Sequence, residues 1–194
     1  MVTNNKYLSK KPANETERLK LVLLDERHIS AVYNYFVRNK KYFTKWLCYP
    51  VDFYNDKVEI QTSLKQERQL IEYDMGIRLW MFKKDDDKLE NVIGSVSCSN
   101  ILREHHQTCT LGYMIDEKHI GKGYATEAVE YFTNYIFNIL KLHKIECQIM
   151  PENLGSMKVI EKVGFKLEGY EKKALLVNGE WKDHFRYALI NEKM

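Results

Sequence analysis

The stretch Leu111–Ala128, LGYMIDEKHIGKGYATEA, decides the fold. Leu111, Tyr113 and Ile115 alternate with Gly112, Met114 and Asp116, which is strand periodicity. From Ala125 onward the apolar residues switch to helical spacing, at Ala125, Ala128, Val129, Phe132, Ile136, Ile139 and Leu140. Between the two lies His119-Ile120-Gly121-Lys122-Gly123-Tyr124. Its glycines allow a sharp turn and the close approach of a ligand. The first N–H groups of the following helix have no intrahelical partner. With the helix dipole they form an anion site, and a diphosphate is the usual guest.

Three phosphate-binding loops have this general shape. A Walker loop needs Ser or Thr directly after Gly-Lys, and Gly123 stands there. A Rossmann turn needs a third glycine, where Thr126 stands, and a repeated strand–helix–strand context. The third is the coenzyme A loop of the GNAT acetyltransferases, Gln/Arg-x-x-Gly-x-Gly/Ala. Lys118-His119-Ile120-Gly121-Lys122-Gly123 resembles it, with Lys118 in place of Gln or Arg. Lysine keeps a donor there but loses the planar fork.

Working outward, the 194 residues suit one domain, with 44% apolar and 29% charged residues. Residues 1–15 read as a loose arm and 16–194 as a single domain. A net charge of +3 is too small to argue for nucleic acid. Cys48, Cys98, Cys109 and Cys147 sit among apolar or strand-like neighbours with no Cys-x-x-Cys pair, so buried reduced thiols are expected. None of the six histidines has helical metal spacing, and no metal is expected. No apolar run reaches transmembrane length, and Met1 to Lys11 lacks a signal-peptide core. A cytoplasmic protein without a membrane partner is expected.

Arg18 to Leu24 reads as a first strand, with Asp25 capping a helix whose face is Ile29, Val32, Tyr33, Phe36 and Val37. The aromatics Tyr42, Phe43, Trp46, Tyr49, Phe53 and Tyr54 read first as core, and second as one wall of an acceptor groove. A helix over Asp56–Tyr73 precedes a strand, Ile77–Lys83. A loop with three consecutive aspartates, read as solvated, leads to a returning strand, Asn91–Asn100, broken by Gly94. A third strand runs to Asp116. After the long helix, Ile145–Met150 is a strand, Asn153 opens a helix that Gly164 closes, and two strands join at Asn178-Gly179, a strong hairpin signal. The order β-α-α-β-β-β-α-β-α-β-β implies an α/β, or mixed α+β, domain: a central mixed, mostly antiparallel sheet flanked by helices.

A second motif sharpens the resemblance. Asn153, Ser156, Val159, Glu161, Lys162, Gly164, Phe165, Glu168 and Gly169 are similar to the GNAT signature Asn-x-x-Ser-x-x-Val-x-Glu-Lys-x-Gly-Phe-x-x-Glu-Gly, at the expected distance from the glycine loop. The opening Thr16–Leu21, the Trp46 region and Gly179-x-Trp181-x-Asp183 resemble the ribosomal-protein N-terminal acetyltransferases, the RimJ/RimL type. The resemblance implies acetyl-coenzyme A as donor and a primary amine as acceptor, such as the N-terminus of a ribosomal protein. A small-molecule amine (polyamine, amino acid or drug) is the alternative acceptor, and a non-catalytic acetyl-coenzyme A sensor the alternative class. A strongly acidic pocket would favour a polyamine. Monomer and dimer remain open.

The same resemblance implies who holds the donor. Backbone N–H groups from Ile120, Gly121, Lys122, Gly123, Tyr124 and Ala125, with Thr126, would take the pyrophosphate. The strand edge at Met114 and Ile115 would pair with the pantetheine arm, next to a strand from Ile145 that splays away. Asn153 and Ser156 have a structural role as helix cap and first turn, and by resemblance contact the pantetheine and lie near the sulfur. The family's usual tyrosine acid is Ile160 here, which leaves Ser156 or water to protonate the thiolate. Glu104, His105, His106, Asp183 and His184 are the candidates for the base, with Asp183 also a candidate for binding the acceptor amine.

Overall fold

The computed structural model describes residues 15–48 and 51–193, without the side chains of residues 51 and 52. Most of the expected N-terminal arm, and Tyr49 of the aromatic run, lie outside the described residues. Strand β1 (Leu19–Val22) is followed by helices α1 (Ile29–Phe43) and α2 (Lys57–Glu72). The meander β2 (Ile77–Lys83), β3 (Gly94–Leu102) and β4 (Thr108–Ile115) leads into α3 (Tyr124–Tyr135), which runs on as a π-helical turn at Ile136–Leu140. Then come β5 (Lys144–Ile149), α4 (Leu154–Val163) and the hairpin β6 (Lys166–Val177) and β7 (Glu180–Ile190).

One sheet is formed, ordered β1-β2-β3-β4-β5-β7-β6. Every pairing is antiparallel except β4 with β5. Alternation on β2 divides the core in two. Ile77, Leu79 and Met81 join α3 and α4 residues on one face, while Trp80 and Phe82 join α1 and α2 residues on the other. The local signals hold up well. Asp25 and Asp56 cap the first helical turns, Asn153 caps α4, and Gly164 ends it in the left-handed region. Asn178 and Gly179 both have positive φ, as the tight hairpin turn between twisted strands requires.

Four expectations are corrected. On α1 the expected Val32 and Phe36 are buried and Ile29 and Tyr33 pack at the core's edge, but Val37 is 40% exposed, and Ala31, Tyr35, Asn39 and Phe43 complete the buried face. The helix meets the sheet through Tyr35, which packs edge-on against Trp80, and that sets its rotation. The aspartate loop is not merely solvated. Asp86 accepts from the amides of Glu90 and Asn91, and Asp87 pairs with Lys20 at 2.6 Å. This capped turn delays β3 until Gly94, which is its first residue and no interruption. Cys48 is exposed, whereas Cys98, Cys109 and Cys147 are buried free thiols.

Candidate active site

The site begins where β4 and β5 part. They pair at Thr108, Cys109 and Thr110 against Lys144, Ile145 and Glu146, and no further. Beyond that point they diverge, and a slot opens between Leu111–Ile115 and Cys147–Ile149. The Asp116 amide donates to the Ile93 carbonyl on the β3 side. Backbone groups alternate sides along a strand, so Met114 and Gly112 also face β3, whereas Tyr113 and Ile115 turn their N–H and C=O groups into the slot. Met114 therefore gives its backbone to β3, and its side chain packs in the aromatic core beside α1.

At the mouth of the slot stands the glycine loop. Gly121 and Gly123 have φ of 75° and 82°, and a Cβ on Gly121 would meet nothing within 4 Å. Gly123 is the N-cap of α3 and provides no side-chain cap, so the first amides of that helix are left for a ligand. Ile120, Gly121, Gly123, Ala125 and Thr126 line this part, facing Gly155, Lys158 and Lys162 of the α4 region. Two positive-φ glycines, of which Gly121 faces open space, uncapped amides and two lysines fit a diphosphate. Lys122 and Tyr124 are not part of this lining. The Lys122 carbonyl accepts from Arg18 Nη1 at 2.9 Å, and the Tyr124 ring lies under the Arg18 guanidinium.

Two carboxylates, the buried Asp116 and the half-buried Glu127, hold the loop. Asp116 accepts from Arg38 Nε at 2.6 Å, from Asn39 Nδ2 at 3.2 Å and from the Lys118 amide at 2.9 Å. Burial alone would raise the Asp116 carboxyl, but these donors outweigh it and hold it below the ordinary range. Glu127 is likewise pushed up by burial and pulled down further by the Thr16 hydroxyl and by the amide and guanidinium of Arg18. His119 stands beside Asp116, and burial, the largest influence, lowers its pKa.

Behind the slot a second cleft opens on the α1 side of the sheet. Tyr42, Trp46 and Leu47 of the α1 end wall it, with Ser95, Ser97, Gln148 and His184 across the sheet. Tyr42, Tyr113, Ile115, Asn153 and Ser156 line both cavities, so the two meet there. The aromatic run thus serves both readings: Phe43, Phe53 and Tyr54 are core, while Tyr42 and Trp46 are wall. The Trp46 Nε1 donor is buried with no partner among the described residues. No Asp or Glu appears among the described lining residues of this cleft. Among the described residues no cluster of three or more His, Cys, Asp or Glu could hold a metal, and no helix is long and apolar enough to cross a membrane.

Asn153 Oδ1 accepts from the Ser156 amide at 3.1 Å, and Tyr113 donates its hydroxyl hydrogen to the Ser156 carbonyl at 2.9 Å. Ile160 is fully buried in the core. Asp183 is brought to neither cavity. Its carboxylate accepts from the Tyr170 hydroxyl and from the Lys173 amide at 2.7 Å, at a bulge of the β6–β7 hairpin. Glu104, His105 and His106 sit exposed in the turn before β4, at the opposite end of that strand from the slot. Sequence reasoning placed Tyr42 on a groove wall but missed Tyr113, His119 and Lys158 as lining residues. Tyr113 had a usable signal, since it lies in phase with Ile115 on the slot edge.

Comparison with known proteins agrees with this geometry. The acetyltransferase (GNAT) domain family matches residues 18–166. A probable N-acetyltransferase of Bacillus subtilis, YjcK, is 39% identical over 153 residues, covering 79% of this chain and 83% of its own. The ribosomal protein uS5-alanine N-acetyltransferase of Escherichia coli is 29% identical over 181 residues, covering 90% and 88%. The crystal structure of the ribosomal-protein-S5-alanine acetyltransferase of Vibrio fischeri superposes with a TM-score of 0.85 at 29% identity, over 92% of this chain and 96% of that one.

Proposed function

Because this chain belongs to the GNAT acetyltransferase family, we propose that it transfers an acetyl group from acetyl-coenzyme A to the N-terminal α-amine of a protein. The single observation that carries the acceptor reading is the second cleft, which is aromatic and polar, with Arg78 and no carboxylate among its described lining residues. A polyamine would need anionic partners there, so an acceptor with one amine beside a neutral backbone suits it better. Relatives that acetylate a ribosomal protein's alanine support a ribosomal acceptor. A cytoplasmic setting suits three buried free thiols and that class of acceptor. Residues 16–194 act as one catalytic unit in this reading, since Arg18, the residue before β1, touches the glycine loop.

The residues divide the work. The uncapped amides of α3, with Gly121, Gly123, Lys158 and Lys162, would hold the pyrophosphate. The slot-facing amides of Tyr113 and Ile115 would pair with the peptide-like arm and polarise the carbonyl. Bound acetyl-coenzyme A supplies the activated acetyl group. Asn153 and Ser156 stand where the two cavities meet, and in this reading the Ser156 hydroxyl would donate toward a departing thiolate.

The test is thiol release from acetyl-coenzyme A with a pool of peptides of different N-termini, run beside a pool of polyamines, amino acids and amine drugs. Turnover with peptides alone, followed by mass spectrometry of the acetylated species, is the expected result. Turnover with small amines alone overturns the protein acceptor. Coenzyme A binding without any turnover points to the sensor alternative.

A further inference from the structure

We propose that His184 is the general base that takes the proton from the acceptor amine. This rests on the acetyl-transfer reading above. His184 is 4% exposed, yet it lines the acceptor cleft. Its Nδ1 lies 3.0 Å from the Lys182 carbonyl oxygen. A carbonyl only accepts, so Nδ1 carries the hydrogen and Nε2 keeps its lone pair. Tyr187 on β7 faces α4, donating to Glu161 at 3.1 Å, and so alternation sends His184 to the other face, where the α1 wall stands.

Elimination strengthens the assignment. The other titratable described residues lining the cleft are Tyr42, Cys48, Arg78, Tyr113 and Cys147. Arginine stays protonated. Burial pushes Tyr42 and Tyr113 up, and Cys147 up to about 12, and partial desolvation raises even the surface thiol of Cys48, so all four stay protonated at neutral pH and none can act as a base. The buried carboxylate of Glu67 is not in the lining and has both oxygens engaged, by Arg78 and by the Trp80 indole, each at 3.0 Å. Asp183, next along the strand, points to the opposite face and is bonded within the hairpin.

The surroundings of His184 are these. On its own strand Lys182 and Arg186 share its face. Across the β6 register stands Glu171, held by Gln148 at 2.6 Å and by Arg186 at 3.1 Å. From β5 and its end come the neutral Gln148 and Met150, from α1 Tyr42, and from β2 Arg78.

The step balances as follows. An ammonium acceptor first gives its surplus proton to solvent. The amine lone pair forms the N–C bond to the acetyl carbonyl carbon, and the nitrogen's proton passes to His184 Nε2. The C–S bond breaks with its electron pair going to sulfur, and the imidazolium proton returns to that thiolate through cleft water. Amide and thiol result, and the histidine is neutral again.

The experiment compares the full chain with His184→Gln and His184→Gly, using the peptide with the fastest thiol release. Calorimetry with coenzyme A and a thermal melt serve as controls for fold and donor site. The expected result is a kcat lower by roughly 100-fold or more, with coenzyme A affinity unchanged within about twofold. The rate of the variant climbs with pH as the free amine deprotonates unaided, and imidazole restores turnover to His184→Gly. In the unmodified protein, ring-nitrogen NMR shows the hydrogen on Nδ1 and the Nε2 signal responding to the peptide. A kcat within about threefold of the parent, an unchanged pH profile, or a hydrogen on Nε2 overturns the assignment. If the parent protein binds coenzyme A but turns over no amine at all, the acetyl-transfer reading fails, and this inference fails with it.

Discussion

The guanidinium of Arg18 lies 4.7 Å over the ring of Tyr124, the first residue of α3. The same side chain donates to Glu127 at 2.6 Å and to the Lys122 carbonyl at 2.9 Å. Arg18 thus bolts the glycine loop to the strand at the far edge of the sheet. A preformed loop spends less binding energy on ordering itself around a ligand. Replacing Arg18 by alanine should weaken coenzyme A binding by about threefold to tenfold, the range of one or two exposed charged hydrogen bonds. Isothermal titration checks this, and kcat at saturating donor should change little. An unchanged affinity would remove Arg18 from the donor site.

Gly121 and Gly123 differ in what a side chain would cost. Both have positive φ, which costs an ordinary residue about 1 kcal/mol. At Gly121 the added Cβ meets open space, whereas at Gly123 it stands 3.1 Å from Arg18 Nη2. Gly123→Trp should abolish measurable coenzyme A binding in a folded protein, while Gly121→Ala should lose only several-fold. Equal affinities in the parent and Gly123→Trp would sink the loop assignment.

These contacts also mark where sequence reading stops. The element order was legible because its signals are local: alternation in the strands, Asn153 and Gly164 at the ends of α4, and positive-φ Asn178-Gly179 in the hairpin. The two motifs located the slot for the same reason. Arg18 and Glu127 are 109 residues apart, and Tyr113 and Ser156 are 43 apart. Nothing in either neighbourhood announces its partner, because the sheet order brings them together. The α1 face was misjudged for a related cause. Spacing defines a stripe, but packing against Trp80 selects Tyr35 over Val37. Asp183 matched a family pattern, while its neighbour His184 reached the cleft because strand parity decides which face a side chain takes.

Asp116 ties α1 to the glycine loop through Arg38, Asn39 and the Lys118 amide. Its carboxyl is held below the ordinary value, so the folded state binds its proton more weakly than the unfolded chain does. The sign follows. The stabilisation is complete above the unfolded pKa of about 4 and is lost as pH falls through the lower folded value. Asp116→Asn should cost about 2 kcal/mol at neutral pH, since it takes the carboxylate from Arg38 and leaves that guanidinium only the Val92 carbonyl. Thermal melts of both proteins should show a gap that is widest near pH 7 and narrows below about pH 4. A gap independent of pH would mean that the charge on Asp116 is not what stabilises the loop.

Tyr113 stands where the two cavities meet, and its role can be separated from that of an acid. Its hydroxyl hydrogen is committed to the Ser156 carbonyl at 2.9 Å, and burial, the largest influence, raises its pKa well above that of free tyrosine. Both facts make it a poor proton donor to a thiolate. Tyr113→Phe should therefore lower kcat by less than about tenfold, while removing one hydrogen bond worth about 1 kcal/mol of stability. Denaturant unfolding and thiol release measure the two effects separately. A fall in kcat of about 100-fold or more, with stability barely changed, would instead make Tyr113 the acid that Ile160 does not provide. In that event Ser156 would lose its place near the sulfur.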